Sequence, residues 1–235
     1  MSTPAADGGA RGRVGAALRR GWFWGVDYAW VLRALGTGIV GRVAPGRYDS
    51  GGRATVVLLP GVLEEWTMMR PVADALSAAG HPVRTLPELR RNTATVDEAA
   101  ALVEAFLAAS GLRDIVLVAH SKGGLIGKRV LLGAEGARVR RLIAIATPFA
   151  GSSLARLIPW RIVRSLAPDD ATILELSGHA EVNDRIVSVY PSFDPHIPGG
   201  SRLEGAANVP VAAMGHFRVL ADPEVLTAVL AAARE

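Results

Sequence analysis

Apolar residues run along this chain in two alternating rhythms. From Thr55 onward, short, mainly apolar runs alternate with stretches in which apolar residues recur every three or four positions. The runs are Thr55–Leu59, Pro82–Leu86, Asp114–Ala119, Leu142–Ala146, Ile186–Tyr190 and Val209–Ala213. Such runs, bounded by turn residues, read as strands buried on both faces. Met68–Ala79, Val96–Ala109, Gly124–Leu132 and Glu224–Ala233 have helical spacing and read as the helices between them. The alternation predicts an α/β fold, a mostly parallel central sheet flanked by helices. Between residues 148 and 184 the rhythm fails, and Leu154, Leu157, Ile158 and Trp160 mix with Arg156, Arg161 and Arg164. That stretch is expected to form a small helical cap over the carboxyl ends of the strands, where sites in open α/β sheets lie.

The first fifty residues have a different character. Residues 1–20 are small, polar and Arg-rich and are expected to be disordered. Residues 21–50 hold an aromatic helix and a linker, with Trp22, Phe23, Trp24, Tyr28 and Trp30 crowded together and Pro45–Arg53 rich in turn residues. A membrane span needs about 20 apolar residues, and Asp27, Arg33 and several glycines interrupt this one. Two readings of residues 21–43 stay open: a helix packed on the body, or an interfacial helix making peripheral membrane contact. No clear signal peptide is visible, so a cytoplasmic or peripheral-membrane location is expected over secretion. Residues 51–235 are expected to form the catalytic domain.

Composition narrows the chemistry. The 235 residues contain no cysteine, which removes disulfides and thiolate metal sites. The net charge of +4 belongs to residues 1–50, where seven arginines face three aspartates, and the remainder is neutral. A nucleic-acid partner therefore finds little support. Histidines and carboxylates do not fall at metal-ligand spacings, no glycine-rich phosphate loop appears, and no cofactor is expected.

The pointed feature is Ile115-Val116-Leu117-Val118-Ala119-His120-Ser121-Lys122-Gly123-Gly124. A strand, a tight turn carrying Ser121 and a helix follow one another, which lifts a serine oxygen clear of the sheet at a helix N-terminus. A hydroxyl needs a base to become a nucleophile, and the base needs an acid to fix its tautomer. Ile186–Tyr190 runs into Pro191-Ser192-Phe193-Asp194, and Val209–Ala213 into Met214-Gly215-His216, giving the order Ser121, Asp194, His216. Asp184 lies near as a rival acid. Two oxyanion donors are expected, the backbone N–H groups of Lys122 and of Val62 in the Pro60-Gly61-Val62-Leu63 loop. His120 is expected beneath the nucleophile and His196 at the site rim, with His81 and His179 as ordinary loop residues.

The motifs LLPGVLEEW, VAHSKGGLIG, IAIATPFAGS, VYPSFDPHIP and GAANVPVAAMGHFRVLADPEVL resemble those of the α/β-hydrolase superfamily, and within it bacterial lipases and esterases. Ala119 stands where the elbow's first glycine is usual, and Pro60 where a histidine is usual before Gly61. The resemblance implies an α/β-hydrolase fold and a serine hydrolase cleaving carboxylic esters through an acyl-enzyme. The expected substrate is a small-molecule or lipid ester. An acyltransferase using the same three residues, and a catalytically silent membrane-associated binding protein, remain open at this stage.

Overall fold

The computed structural model describes residues 21–22, 24–33 and 45–234. The expectation of disorder for residues 1–20 lies outside them. Residues 24–33 form a helix, α1, and a 3₁₀ turn at Pro45–Tyr48 follows. Then come β1 (Val56–Leu59), a 3₁₀ turn at Trp66–Met69, α2 (Arg70–Ala78), β2 (Val83–Thr85), α3 (Val96–Ser110), β3 (Ile115–His120), α4 (Lys122–Leu132) and β4 (Val139–Ile145). Beyond β4 lie a 3₁₀ turn at Ser153–Leu157, α5 (Arg161–Arg164) and α6 (Ala171–Gly178). The chain closes with β5 (Ile186–Phe193), β6 (Ala207–Met214) and α7 (Pro223–Arg234).

The six strands form one sheet in the order β2-β1-β3-β4-β5-β6, and every pair is parallel. Successive strands are joined by crossovers that cover both sheet faces, and the central strands β1 and β3 are buried along their whole length. All four β1 residues are buried, and they alternate between two cores. Val57 and Leu59 face the side of α3, α4 and the cap, while Val56 and Leu58 face the side of α2 and α7. Phe149, Leu166, Ile173 and Leu176 from the segment between β4 and β5 join the first core, so that segment is anchored in the body of the fold.

Several elements differ from expectation for local reasons. The helix expected over Met68–Ala79 is a 3₁₀ turn and then an α-helix, because Pro71 fits only the first turn of an α-helix. Helix α3 starts at Val96 because Thr95 and Glu98 form a reciprocal capping box. Strands β4, β5 and β6 are longer than their apolar runs, since backbone pairing continues through residues whose side chains are not buried: Arg140 and Arg141 in β4, Ser192 and Phe193 in β5, Ala207, Asn208 and Met214 in β6. The linker is also more than a linker, because Tyr48 is buried and its hydroxyl donates to Asp74 Oδ1 at 2.7 Å. No helix among the described residues is long and apolar enough to cross a membrane.

Candidate active site

The strand order reverses direction between β1 and β3, and the loops leaving these two strands lie side by side there. Ser121 leaves β3 with φ 50° and ψ −121°, a sparsely populated conformation for a residue with a Cβ that costs on the order of 1–3 kcal/mol. The surroundings enforce it. Its own N–H donates to Ile145 O of β4 at 2.9 Å, and Lys122 at once begins α4. Gly123 is obligatory next in the chain, since a Cβ there would collide with the Leu59 carbonyl at the end of β1. The result is a serine oxygen held at the carboxyl edge of the sheet and the N-terminus of a helix.

Asp194 directly follows the end of β5, and His216 lies two residues past the end of β6. The hydroxyl of Ser121 donates to His216 Nε2 at 3.0 Å, and His216 Nδ1–H donates to Asp194 Oδ2 at 2.8 Å. The carboxylate can only accept, so the neutral imidazole carries its proton on Nδ1 and turns its lone pair toward the serine. The other Asp194 oxygen accepts the backbone N–H groups of His196 at 2.7 Å and Ile197 at 3.1 Å. All three residues are buried. Asp184, the rival acid, sits in a 3₁₀ turn before β5, at the opposite end of that strand from the histidine.

The fold has solved counterparts. An extracellular α/β-hydrolase from a Paenibacillus species matches with a TM-score of 0.54 at 17% identity, over 77% of this chain and 98% of that one. The mature lipase BlEst2 of Bacillus licheniformis matches at 0.57 and 16% identity, over 82% of this chain and all of that one. Lipase B of Aspergillus fumigatus matches at 0.60 and 18% identity, over 77% of this chain and 52% of that one. This chain has the α/β-hydrolase fold. No protein-family model and no curated protein sequence matches it.

On this α/β-hydrolase scaffold, a cavity of about 720 Å³ opens beside Ser121 and His216, within the range that holds small organic ligands. Its walls are chiefly apolar, from α1 (Trp24, Tyr28), from the β1 loop (Val62) and from the cap (Leu154, Ile158, Trp160). His196 lies on its rim, with its ring 4.8 Å from that of His216. Lys122 has its backbone N–H at the start of α4, while its side chain is buried and donates to Asn92 O at 3.1 Å, Asn92 Oδ1 at 3.2 Å and Ala94 O. In the β1 loop, Gly61 N–H donates to Glu64 Oε2 at 2.9 Å. That contact engages the Gly61 N–H, while its neighbour Val62 lines the space beside Ser121.

Sequence reasoning missed Glu64. It is buried, and besides Gly61 it meets His120 Nδ1 at 2.9 Å, while His120 Nε2–H donates to the carbonyl of His216 at 2.9 Å. A carbonyl only accepts, so His120 carries a proton on Nε2 and turns Nδ1 to Glu64. Glu64 and His120 thus tie the β1 loop to the histidine loop behind the serine. The pattern Gly61-x-x-Glu64 was the available signal, but its partner lies 56 residues on. His81 also departs from expectation: it is buried, and its Nδ1 contacts Ala54 O at 2.9 Å, because the turn after α2 tucks against the start of β1.

Electrostatics follow from this packing. Burial acts to lower the pKa of His216, but Asp194, Glu64 and Asp27 outweigh it and hold the imidazole above its ordinary value. Burial acts to raise Asp194, yet His216 and the His196 N–H hold the carboxyl below its ordinary range. His196 is pushed down to about 3 by burial and by the charge of His216, so it is neutral in ordinary buffers. Asp194, His196 and His216 offer donor atoms within 4.8 Å of one another, but both Asp194 oxygens are engaged by N–H groups, one of them from His216 itself. Both His216 nitrogens are likewise engaged, by Asp194 and Ser121, and His196 Nε2 meets the Tyr28 hydroxyl.

Proposed function

We propose that the protein is a serine hydrolase that cleaves carboxylic esters with an apolar acyl chain by way of an acyl-enzyme. The observation that carries this reading is the hydrogen-bonded line from Ser121 through His216 to Asp194, set at a strained elbow beside an apolar cavity. In the first step Ser121 Oγ attacks the ester carbonyl and its proton passes to His216 Nε2. The carbonyl electrons move to oxygen, where the N–H groups of Val62 and Lys122 receive the negative charge. Collapse expels the alcohol, which leaves with the proton from His216. Water then gives a proton to His216 and its hydroxide attacks the acyl carbon; the acyl–Oγ bond breaks, Ser121 Oγ takes the proton back from His216, and the acid is released. Asp194 stays ionised throughout, fixing the tautomer and stabilising the imidazolium.

The cavity mouth supports an ester presented by a lipid surface. Trp160 (62% exposed) lines the cavity, Leu157 (78% exposed) and exposed Arg156, Arg161 and Arg164 belong to the same cap segment, and Trp22 (70% exposed) lies just ahead of α1 in the chain. Aromatic residues with arginines beside them suit an anionic headgroup layer.

A chain-length series of nitrophenyl esters, free and carried on vesicles with and without anionic lipid, tests the reading. Turnover is expected, rising with acyl length and on anionic vesicles, and Ser121→Ala should lower kcat by more than about a thousandfold. No turnover of any ester would defeat the hydrolase reading, and indifference to the vesicles would defeat the surface contact.

A further inference from the structure

Helix α1 plays no part in the acyl-transfer steps, yet it brings a carboxylate with no solvent exposure against the histidine loop. Asp27 is fully buried. Its oxygens accept N–H bonds from three successive residues: His216 at 3.0 Å, Phe217 at 3.1 and 3.3 Å, and Arg218 at 3.0 Å. Consecutive N–H groups of this kind make an anion-binding concavity, and here the anion is a side chain from 189 residues earlier. The loop is shaped for it. Gly215 has a φ of +106°, and a Cβ there would lie 2.7 Å from Asp27 Oδ1.

The peptide groups of His216 are therefore held from two sides, the N–H by Asp27 and the C=O by His120. Helix α1 also covers the catalytic face. Trp24 packs on the His196 ring at 4.5 Å, Tyr28 on Phe217 at 5.9 Å, and the Tyr28 hydroxyl meets His196 Nε2 at 3.1 Å. Trp24, Tyr28 and Val31 line the same cavity as Ser121.

We propose that α1 is a working part of the active site, in which Asp27 is a positioning residue for His216 while Trp24 and Tyr28 form a wall that sets which acyl groups fit. This rests on the ester-hydrolase reading for its substrate, but not for the effect on His216. The titratable groups facing His216 are Asp194 and His196 on the acid loop, Glu64 on the β1 loop, His120 on β3 and Asp27 on α1. Removing the Asp27 charge should leave His216 easier to deprotonate. Loosening its backbone should slow chemistry more than binding, since small displacements of a base carry large rate penalties.

The test compares Asp27→Asn, which keeps the shape, and Asp27→Ala with wild type. For a short nitrophenyl ester, kcat should fall on the order of tenfold in Asp27→Asn and a hundredfold in Asp27→Ala, with KM changed far less. The His216 ring proton, followed by NMR in substrate-free protein, should titrate at lower pH in Asp27→Asn. Reduced thermal stability with unchanged kcat per folded molecule and an unchanged His216 titration would overturn the positioning role. Trp24→Ala should shift the acyl preference toward bulkier chains, and an unaltered preference would overturn the wall. Wild-type protein that neither turns over esters nor takes a fluorophosphonate would sink the hydrolase reading, while the NMR titration would still decide whether Asp27 acts on His216.

Discussion

The residue that organises this molecule is a serine in a conformation that serines avoid. Ser121 keeps φ 50° because its N–H is committed to β4 and its successor to α4, so the backbone has nowhere else to go. His216, its hydrogen-bond partner, is tuned by the same crowding. His216 accepts a proton only when neutral, and its pKa is held above the ordinary imidazole value of about 6.5, so kcat/KM should rise with pH to a half-point above that value. Asp194→Asn removes the chief opposing charge. It should lower kcat by roughly four orders of magnitude and move the half-point of the residual activity down. A pH–rate profile of both proteins checks this, and an unmoved half-point would place the acid elsewhere. Ser121, Asp194 and His216 were legible because each follows the end of a strand within two residues. Glu64 and Asp27 were not, because a buried carboxylate is recognised by its partners, which lie 56 and 189 residues away.

Elements that the alternating rhythm marks out recur in the structure with shifted ends. An all-parallel sheet buries both faces of each strand, so its runs show strongly in sequence while its pairing limits do not. Helix α4 begins earlier than its apolar spacing because Lys122, a charged residue, is buried under the loop at Asn92–Ala94. Burial lowers that ammonium to about 8, with Glu98 opposing the shift. Its three acceptors make the side chain a pin for the loop. Lys122→Ala should therefore reduce stability by about 2 kcal/mol at pH 7 in urea unfolding. Between about pH 8 and the unfolded value near 10.4, the unfolded wild-type chain binds more protons than the folded one, so wild-type stability should rise relative to the variant. A difference that is flat across that range would show the ammonium to be unperturbed.

At the scale of the whole molecule, the sheet divides structural and chemical work. The α2 and α7 side holds a second apolar core with Tyr48 at its edge, while the carboxyl edge gathers the serine, acid, histidine and β1 loops. The cap and α1 then roof the cavity from parts of the chain more than a hundred residues apart. Sequence rhythm conveyed the sheet, but not the roof. A helix of mixed aromatic and glycine residues has no face that reads as core until Asp27 meets the loop after β6. The central claim is that Ser121 is the nucleophile of this assembly. Labelling with a fluorophosphonate, followed by mass mapping, tests it most directly. Wild-type protein should carry one label on Ser121 and Ser121→Ala none, whereas equal labelling of both, or none of the folded wild type, would contradict the account.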